Sequence, residues 1–311
     1  MYQHALHTPE LAGVTRVIDA ITACKRVLDA AGVWCGHGTD NTWDEAVQLV
    51  LFAAGLPADA PATAAEHALD DAGVRRLDGL LRQRVDERVP LPYLTGEAWF
   101  AGLQFACDRR ALVPRSPLAE LIMENYRPWY TGTGPASILD LCCGGGAIGI
   151  AAAVHAPSAH VALSDIDAEA LALGASNIAR HGVSERVRLL QGDLFGGLHG
   201  QRFDVILCNP PYVDAGDLAG MPPEYQYEPP IGLGAGEDGL DLARRVLAQA
   251  EAHLHAEGIL LLEVGNSWQA LEEAYPRVAF TWIELAAGGH GVLCMQASEL
   301  REYAAELAYT A

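Results

Sequence analysis

Residues 209–212, Asn-Pro-Pro-Tyr, have the composition expected of a site that binds a planar amino group. The two prolines fix the backbone angle φ and lack an N–H, so the carbonyls of this turn remain available as acceptors. Together with the Asn209 side-chain oxygen, two acceptors can receive both hydrogens of an NH₂ group and leave its nitrogen facing a reaction partner. Tyr212 offers an aromatic face for stacking. The alternative is an ordinary tight turn, so the position of this NPPY turn in the fold decides between the two.

A glycine-rich segment, Gly144-x-Gly146-x-x-Gly149, lies where nucleotide-binding loops are found, between an apolar run and a helical one. Glycines let the backbone approach a ligand closely and adopt positive φ. Asp165 follows about 20 residues later, where a carboxylate accepts hydrogen bonds from both hydroxyls of a ribose. Asp193 ends the third run, where it can border an adenine. A turn without a ligand and a nicotinamide-dinucleotide site share most of this pattern, and the NPPY turn argues against both.

These residues need a scaffold that brings them to one place, and the chain from Ser137 onward supplies its pattern. Short apolar runs alternate with helical stretches, which predicts an α/β fold with a mostly parallel, doubly wound sheet. The runs are SILDLCC, HVALSDID, RVRLLQGD, FDVILCNPP, GILLLEVG and GVLCMQ. Ligands of such sheets bind at the carboxyl ends of the strands. The NPPY turn follows the fourth run and therefore belongs to that edge.

The first quarter of the chain has helical periodicity instead, with apolar residues at three- and four-residue intervals. Thr42 and Thr63 each stand three residues before a glutamate, and this capping-box spacing predicts helix starts near them. The prolines of residues 89–92 end the pattern because proline cannot continue a helix. We predict a helical domain over residues 1–88, whose task is packing or partner recognition.

Two aromatic-rich runs on either side of Ala101-Gly102 predict a β-hairpin. Ser116-Pro117 then predicts a helix start, with the serine as cap and the proline at the first helical position. The sequence thus predicts a hairpin linker over residues 89–113 and a domain over 114–311 that carries the chemistry.

Composition restricts the partners. Twenty Lys and Arg against forty Asp and Glu give a net charge of −20, which repels phosphate backbones and suits a basic partner, although solubility alone is an equal explanation. Seven cysteines without C-x-x-C spacing indicate a reduced, cytoplasmic chain. The eleven histidines lack metal-ligand spacing, so we expect no metal site. We find neither a signal-peptide pattern nor an apolar run long enough for a membrane span.

In this order and spacing, the segments LDLCCGGGAIGIA, SDID, GDLF and NPPY resemble the class I S-adenosylmethionine-dependent methyltransferases that modify planar amino groups. The preceding helices and hairpin resemble the HemK-like protein-(glutamine-N(5)) methyltransferases. Residues 112–122 and 209–242 are similar to the branch that acts on large-subunit ribosomal protein L-three, the PrmB branch. The release-factor branch typically reads R-P-x-T-E where residues 115–119 read RSPLA, and it remains an alternative. The resemblance is strong from about Val89 onward and looser before it.

The resemblance implies a Rossmann-like, mostly parallel seven-stranded sheet, an N-terminal helical domain that recognises substrate, and S-adenosylmethionine as methyl donor. It implies that glycine-loop residues pass close to the methionine part, that Asp140 supports this loop, and that Asp165 holds the ribose. The cofactor-binding residues it implies are Asp140, Cys142, Gly144, Gly146, Asp165, Ile166, Asp193, Leu194 and Asn209. The substrate-binding residues are Asn209, Pro210, Pro211 and Tyr212, of which Asn209, Pro210 and Tyr212 are also the catalytic ones. The Cys142-Cys143 pair departs from the family pattern, and we expect Cys142 to be a small buried residue rather than a nucleophile.

The reaction expected is direct transfer of a methyl group to the side-chain amide nitrogen of a glutamine in a basic ribosomal protein. The nearest rival is methylation of the exocyclic nitrogen of adenine in DNA, since such enzymes share the NPPY type of turn, but the acidic composition argues against DNA binding. A non-catalytic ribosome-assembly adaptor is a rival of another class.

Overall fold

The computed structural model describes residues 6–286 and 288–309, which form two compact units. The first unit contains the described residues up to Glu97 together with Pro222–Tyr227. The second contains Ala98–Met221 and the described residues from Glu228 onward. The chain therefore leaves the second unit for one short segment, which no pattern in the sequence announced. The three-part division at residues 88 and 113, with its recognition role for the helices, stays a prediction.

The first unit is helical. Its α-helices are α1 (Val17–Ala31), α2 (Thr42–Ala54), α3 (Asp71–Val85) and α4 (Leu91–Thr95). Leu28, Leu49 and Leu77, from the first three helices, are fully buried in one apolar cluster, which is the core that the three- and four-residue spacing predicts. The short segment Pro222–Tyr227 contributes a turn of 3₁₀-helix to this unit.

The helix start predicted near Thr42 is confirmed, although its capping residue differs, and the start predicted near Thr63 is wrong. Asn41, not Thr42, caps α2, because the Asn41 side-chain oxygen accepts the backbone N–H of Asp44 at 2.9 Å. Thr42 is already the first helical residue. Thr63 lies inside a short 3₁₀-helix, Ala62–Glu66, and no α-helix begins there. Capping residues compete with their neighbours for the same N–H groups, and the spacing alone does not decide between adjacent candidates.

The predicted hairpin is confirmed, with strands β1 (Glu97–Phe100) and β2 (Leu103–Ala106). Its turn has positive φ at both Ala101 (48°) and Gly102 (76°), the combination that a tight two-residue hairpin turn requires. The helix after Ser116 begins one residue later than predicted, as α5 (Leu118–Met123), with Pro117 before it. The Ser116 hydroxyl oxygen nonetheless accepts the Leu118 N–H at 3.2 Å.

The second unit is built on a seven-stranded sheet, as the predicted fold class requires. Its strands are β3 (Ser137–Leu141), β4 (His160–Asp165), β5 (Val187–Gln191), β6 (Phe203–Cys208), β7 (Leu254–Glu263), β8 (Thr281–Trp282) and β9 (Val292–Gln296). The spatial order is β5-β4-β3-β6-β7-β9-β8; the first five are parallel, and β9 runs antiparallel to both of its neighbours. The chain first moves outward from β3 and then crosses back to β6, so β3 and β6 flank the topological switch point.

Helices cover both faces of this sheet. They are α6 (Ala147–His155), α7 (Ala168–Arg180), α9 (Asp241–Gln249), α10 (Trp268–Ala274) and α11 (Ala297–Glu302). A further short helix of this unit, α8 (Ala215–Gly220), buries no residue. Successive residues of β3 alternate between two buried clusters: Ile138 packs with α6 and α7, and Leu139 packs with α9 to α11. A sheet buried on both faces explains why its strands read as continuous apolar runs.

Candidate functional site

The predicted site residues lie at, or directly after, the carboxyl ends of four adjacent strands. Leu141, the last residue of β3, pairs with Ser164 on one side and Cys208 on the other. Asp165 pairs with Gln191 of β5. The glycine loop, the Asp165 turn, the Asp193 turn and the NPPY turn therefore leave one edge of the sheet side by side, at the switch point where doubly wound folds bind ligands.

The glycine loop between β3 and α6 is held by backbone contacts. Cys142, Gly144 and Gly146 have positive φ values of 56°, 51° and 81°. The Gly144 N–H donates to Asp165 Oδ2 at 2.8 Å, and the Cys143 N–H donates to the Ser164 carbonyl at 3.1 Å. The loop is thus attached to the end of the neighbouring strand β4, which fixes its shape before any ligand binds.

Asp140 lies beneath this loop, fully buried. Its Oδ2 accepts the Gly149 N–H at 2.8 Å, whereas its Oδ1 has no hydrogen-bond partner among the described residues. Burial raises the pKa of the Asp140 carboxyl to about 8, although the bond from Gly149 opposes the shift. Asp140 therefore supports the first turn of α6, and burial favours its protonated form. Its support of the glycine loop and its contact with a cofactor stay predictions.

Gly149 cannot carry a side chain without moving its neighbours. A Cβ there would come within 2.1 Å of Leu163 Cδ2 and 2.9 Å of Asp140 Cβ. The third glycine of the motif is thus a packing requirement: it lets α6 lie directly on β3 and β4.

The Asp165 carboxylate is suited to accept ribose hydroxyls. Its two oxygens accept one backbone N–H each, from Gly144 at 2.8 Å and Asp167 at 2.9 Å, so each oxygen keeps a lone pair for a further donor. Burial raises the pKa of Asp165, and the backbone bonds partly offset this shift. Ile166, the next residue, is 53% exposed and offers an apolar surface beside the carboxylate.

The turn after β5 holds Asp193 in an ion pair and the Leu194 side chain in the core. The exposed Asp193 carboxylate forms an ion pair with Arg245, at 2.7 Å between Oδ2 and Nη2. The Leu194 side chain is buried, and its carbonyl accepts the Ser164 hydroxyl at 3.0 Å in a backbone with φ of 49°. Leu194 can therefore face a ligand only through its backbone.

In the NPPY turn, the two prolines are buried while Asn209 and Tyr212 are partly buried. The Asn209 side chain forms no hydrogen bond with any other described residue, so its amide is available to a ligand. The Tyr212 hydroxyl donates to Glu263 Oε1 at 2.9 Å, and the Tyr212 carbonyl accepts the Ser267 hydroxyl at 2.9 Å. In this turn, therefore, the Asn209 side-chain amide is available to a ligand, whereas the hydroxyl and carbonyl of Tyr212 are already hydrogen-bonded.

Glu263 is a site residue that the sequence analysis missed. It ends β7 directly after Leu262, which pairs with Cys208, so Glu263 and Asn209 leave the sheet next to each other. Its second oxygen, Oε2, accepts the Ser116 hydroxyl at 2.6 Å. Burial raises the pKa of Glu263, and the two hydroxyl donors lower it. An acidic residue at the end of a predicted parallel strand was the clue in the sequence.

Asn177 was also missed. This buried residue of α7 donates its amide to the carbonyls of Gly145 (3.0 Å) and Ala106 (3.1 Å) and accepts the Ala106 N–H (2.8 Å). It joins the glycine loop to the hairpin strand β2. Nothing local in a helical stretch of alanines marks one asparagine as a bridge.

The expectation that Cys142 is a buried residue is wrong. Cys143 is buried, but Cys142, for which burial was expected, is only partly so. Burial raises the pKa of the Cys143 and Cys208 thiols well above the ordinary range, so neither is a thiolate near neutral pH.

Within residues 6–286 and 288–309, no helix has both the length and the apolar character that crossing a membrane would take. Over the same residues, no group of three His, Cys, Asp or Glu side chains is placed to hold a metal ion.

Comparison with known proteins agrees with this geometry. The family model described as "Methyltransferase small domain" matches residues 128–220. The ribosomal protein uL3 glutamine methyltransferase of Francisella tularensis is 45% identical over 277 residues, covering 89% of this chain and 88% of that protein. The enzyme of the same name from Xanthomonas campestris is 46% identical over 292 residues, 94% of each chain. This chain belongs to that family.

The family resemblance inferred from the motifs is thereby confirmed, and so is the class I methyltransferase fold. A solved structure, the 16S rRNA N2 G1207 methyltransferase of T. thermophilus in complex with AdoMet and guanosine, is 21% identical with a TM-score of 0.45. It covers 64% of this chain, and the match spans 49% of that chain.

Proposed function

We propose that this chain methylates the side-chain amide nitrogen N(5) of a glutamine in ribosomal protein uL3, with S-adenosylmethionine as methyl donor. The observation that carries the proposal is the 45% and 46% identity, over about nine-tenths of the chain, to enzymes of that name. The placement of the NPPY turn beside the glycine loop supports it. Family membership also disfavours the nicotinamide and non-catalytic alternatives, and it favours the PrmB branch over the release-factor branch.

The residues at the strand ends fit S-adenosylmethionine. Asp165 would accept the ribose hydroxyls through the two lone pairs that its backbone bonds leave, and Ile166 would lie against the adenine. Asp193 and the Leu194 backbone would border the adenine, and Gly144, Gly146 and Cys142 would line the methionine part. When bound, this group supplies a methyl carbon activated by a sulfonium.

The NPPY turn would orient the glutamine. The Asn209 side-chain oxygen and the Pro210 carbonyl would accept the two amide hydrogens, so that the nitrogen faces the methyl carbon. An amide nitrogen is a poor nucleophile because its lone pair is delocalised, so correct placement is the main contribution, and well-oriented reactants gain about 7–11 kcal/mol. As positive charge develops on nitrogen, these acceptors bind it more strongly. The neutral thioether, S-adenosylhomocysteine, would be the leaving group, and the surplus amide proton would leave through the Pro210 carbonyl or water.

The same geometry discriminates against glutamate. A carboxylate has no hydrogens to donate, so both acceptors of the turn would face like partial charge without a hydrogen bond. Pro211 and Tyr212 would complete the binding site, with the Tyr212 ring against the planar carboxamide. Two hydrogen bonds hold Tyr212 in place: its hydroxyl donates to Glu263, and its backbone carbonyl accepts the Ser267 hydroxyl.

For the protein partner, we propose recognition by the helices before residue 88 together with the hairpin. The net charge of −20 favours a basic ribosomal protein and disfavours duplex DNA, and modification of such a protein places the enzyme in the cytoplasm. Filter binding with duplex DNA at moderate salt tests the second point: retention of DNA on the filter would contradict it.

Asn209→Ala tests the mechanism. The variant is expected to retain binding of S-adenosylmethionine, measured by calorimetry, because the other cofactor-binding residues remain. It should lose about 10²–10³-fold in turnover on purified uL3, measured by mass spectrometry. Incubating the unchanged enzyme separately with uL3, release factor and duplex DNA locates the methylated substrate. An undiminished rate for the variant would refute the role of the NPPY turn, and a mass increase on release factor or DNA instead of uL3 would refute the substrate.

A further inference from the structure

The loop that follows the NPPY turn leaves the second unit and returns to it. At its base, the Val213 N–H donates to the Leu233 carbonyl and the Val213 carbonyl accepts the Ala235 N–H, both at 3.0 Å. We call residues 214–232, between these contacts, the excursion loop. Its middle segment, Pro222–Tyr227, folds as part of the first, helical unit.

Within the helical unit, Glu224 is the buried anchor of that segment. Its side chain is 2% exposed, and Oε1 accepts both the Arg84 Nη1–H at 2.9 Å and the Trp34 N–H at 3.0 Å. Arg84, on α3, is equally buried; it also donates Nε–H to Glu45 and Nη2–H to the Trp34 carbonyl at 2.7 Å. The guanidinium is thus shared between a carboxylate of its own helical domain and one from the excursion loop.

This cluster contains two arginines and two glutamates, so its charges balance only when the Glu224 carboxylate is present. Arg88 Nη1 lies 3.8 Å from Glu224 Oε1 as a second cation. Burial alone would raise the pKa of Glu224, but the Trp34 N–H and Arg84 outweigh it and hold this pKa below its usual value. Glu224 is therefore ionised at neutral pH, and its removal leaves buried donors without their acceptor.

Other contacts of the segment are fewer and more exposed. The Tyr227 hydroxyl donates to the Glu87 carbonyl at 2.5 Å, and the Tyr225 ring lies 4.6 Å from the His37 ring. The preceding helix α8, also in the excursion loop, has no buried residue. A stretch with so little buried surface opens easily unless a specific contact holds it. Glu224 is that contact for Pro222–Tyr227. Glu228 holds the following part of the loop separately: its carboxylate accepts the Val113 N–H at 2.9 Å and pairs with Arg115.

We propose that Glu224 is a positioning residue for the protein substrate: its bond to Arg84 sets the conformation of the excursion loop, which begins two residues after Tyr212, and the loop in this conformation contacts the polypeptide around the target glutamine. This inference rests on the proposed function. Buried ion pairs add little net stability compared with apolar packing but are directional, which suits a contact that fixes one loop conformation.

The test compares Glu224→Ala with Asp70→Ala. Asp70 caps the same helix, α3, through the Gly73 N–H at 2.7 Å and does not contact the described residues of the excursion loop, so its loss destabilises the helical unit without releasing the loop. For Glu224→Ala we expect KM for uL3 to rise at least tenfold, with kcat and the Kd for S-adenosylmethionine within twofold of the unchanged protein. For Asp70→Ala we expect KM within twofold. Glu224→Gln, which keeps an acceptor but loses the charge, should lie between.

Hydrogen exchange supplies a second readout that needs no substrate. Amides of residues 214–227 are expected to exchange at least tenfold faster in Glu224→Ala than in Asp70→Ala. The amides of β3 to β6 and those after Glu228, which Arg115 holds, should be unchanged. Equal exchange in the two variants, or equal KM changes, would overturn the positioning role. If the unchanged enzyme does not methylate uL3 while exchange still differs, the proposed function fails and the assignment of Glu224 to substrate positioning falls with it, leaving only its hold on the loop.

Discussion

At the scale of single residues, Glu263 joins two elements that the reaction would use in different ways. One of its oxygens accepts the Tyr212 hydroxyl from the NPPY turn, and the other accepts the Ser116 hydroxyl from the segment before α5. Each bond satisfies part of a carboxylate that is almost fully buried. Both hydrogen bonds therefore contribute to the stability of the folded protein. Only Tyr212 belongs to the turn that would hold the glutamine.

This pairing yields a matched experiment. Tyr212→Phe and Ser116→Ala each remove one hydrogen bond from Glu263, so both should lower the free energy of unfolding by about 1–3 kcal/mol, measured by urea denaturation. Ser116→Ala also loses the bond from the Leu118 N–H, so its loss of stability should be at least as large. Only Tyr212→Phe should also lower kcat, by about tenfold, because the ring would no longer be oriented by the hydrogen bond to Glu263. Equal reductions of kcat would show that Glu263 influences the reaction by some route other than Tyr212.

The raised pKa of Asp140 predicts that the free energy of unfolding depends on pH. Its pKa is about 8 in the folded protein against an ordinary 3.8, so the folded state retains a proton that the unfolded state releases. Its contribution to stability is therefore full below about pH 4 and falls by about 1.4 kcal/mol per pH unit until about pH 8.

Asp140→Asn mimics the protonated acid and does not titrate. The difference in unfolding free energy between variant and unchanged protein should shift in favour of the variant from pH 5 to 8 and then level off, measured by denaturation at each pH. Parallel stability curves would mean that Asp140 is ionised throughout this range.

At the scale of elements, the contact of α6 with β3 and β4 depends on the missing side chain of Gly149. Gly149→Ala should destabilise the protein by about 1–3 kcal/mol, because its Cβ would overlap Leu163 and press on Asp140. Gly79→Ala is the matched control: Gly79 lies in α3 with nothing within 4 Å of the position that a Cβ would take, and alanine there should stabilise by about 0.5–1 kcal/mol. Thermal unfolding separates the two, and a stabilised Gly149→Ala would contradict the close packing.

The elements that position the site were predictable because buried parallel strands have a plain local pattern. Six apolar runs gave six strands, and the polar residues after them marked the binding edge. Strand β8, Thr281–Trp282, was not predicted because two residues are too few to show a period. Glu263 was passed over because it closes an apolar run that already had an explanation as a strand.

At the scale of the whole molecule, the excess of acidic residues predicts how a basic substrate would arrive. For uL3, the basic substrate proposed above, the association rate should fall by about tenfold or more as salt rises from 50 to 300 mM, because salt would screen the attraction between opposite net charges. Stopped-flow fluorescence measures this rate. Binding of S-adenosylmethionine, which is small and held by local contacts, is the control and should change little. A salt-independent rate with uL3 would mean that the charge serves solubility alone.

Contacts between distant parts of the chain lay beyond the sequence analysis. Glu224 and Arg84 are 140 positions apart, and neither stands in a motif that names the other. Asn177 likewise bridges Gly145 and Ala106 from within an alanine-rich helix. Such partners are chosen by the folded topology, which local periodicity and capping patterns do not encode.

The paired base of the excursion loop has an evolutionary consequence. Since Val213 and Gly234 are bridged where the loop leaves and rejoins, its exposed helix α8, which buries no residue, can lengthen, shorten or diverge at little entropic cost while the ends stay fixed. If the loop contacts the protein substrate as proposed, changes confined to this exposed stretch would alter which protein is bound and leave the strand ends of the sheet as they are.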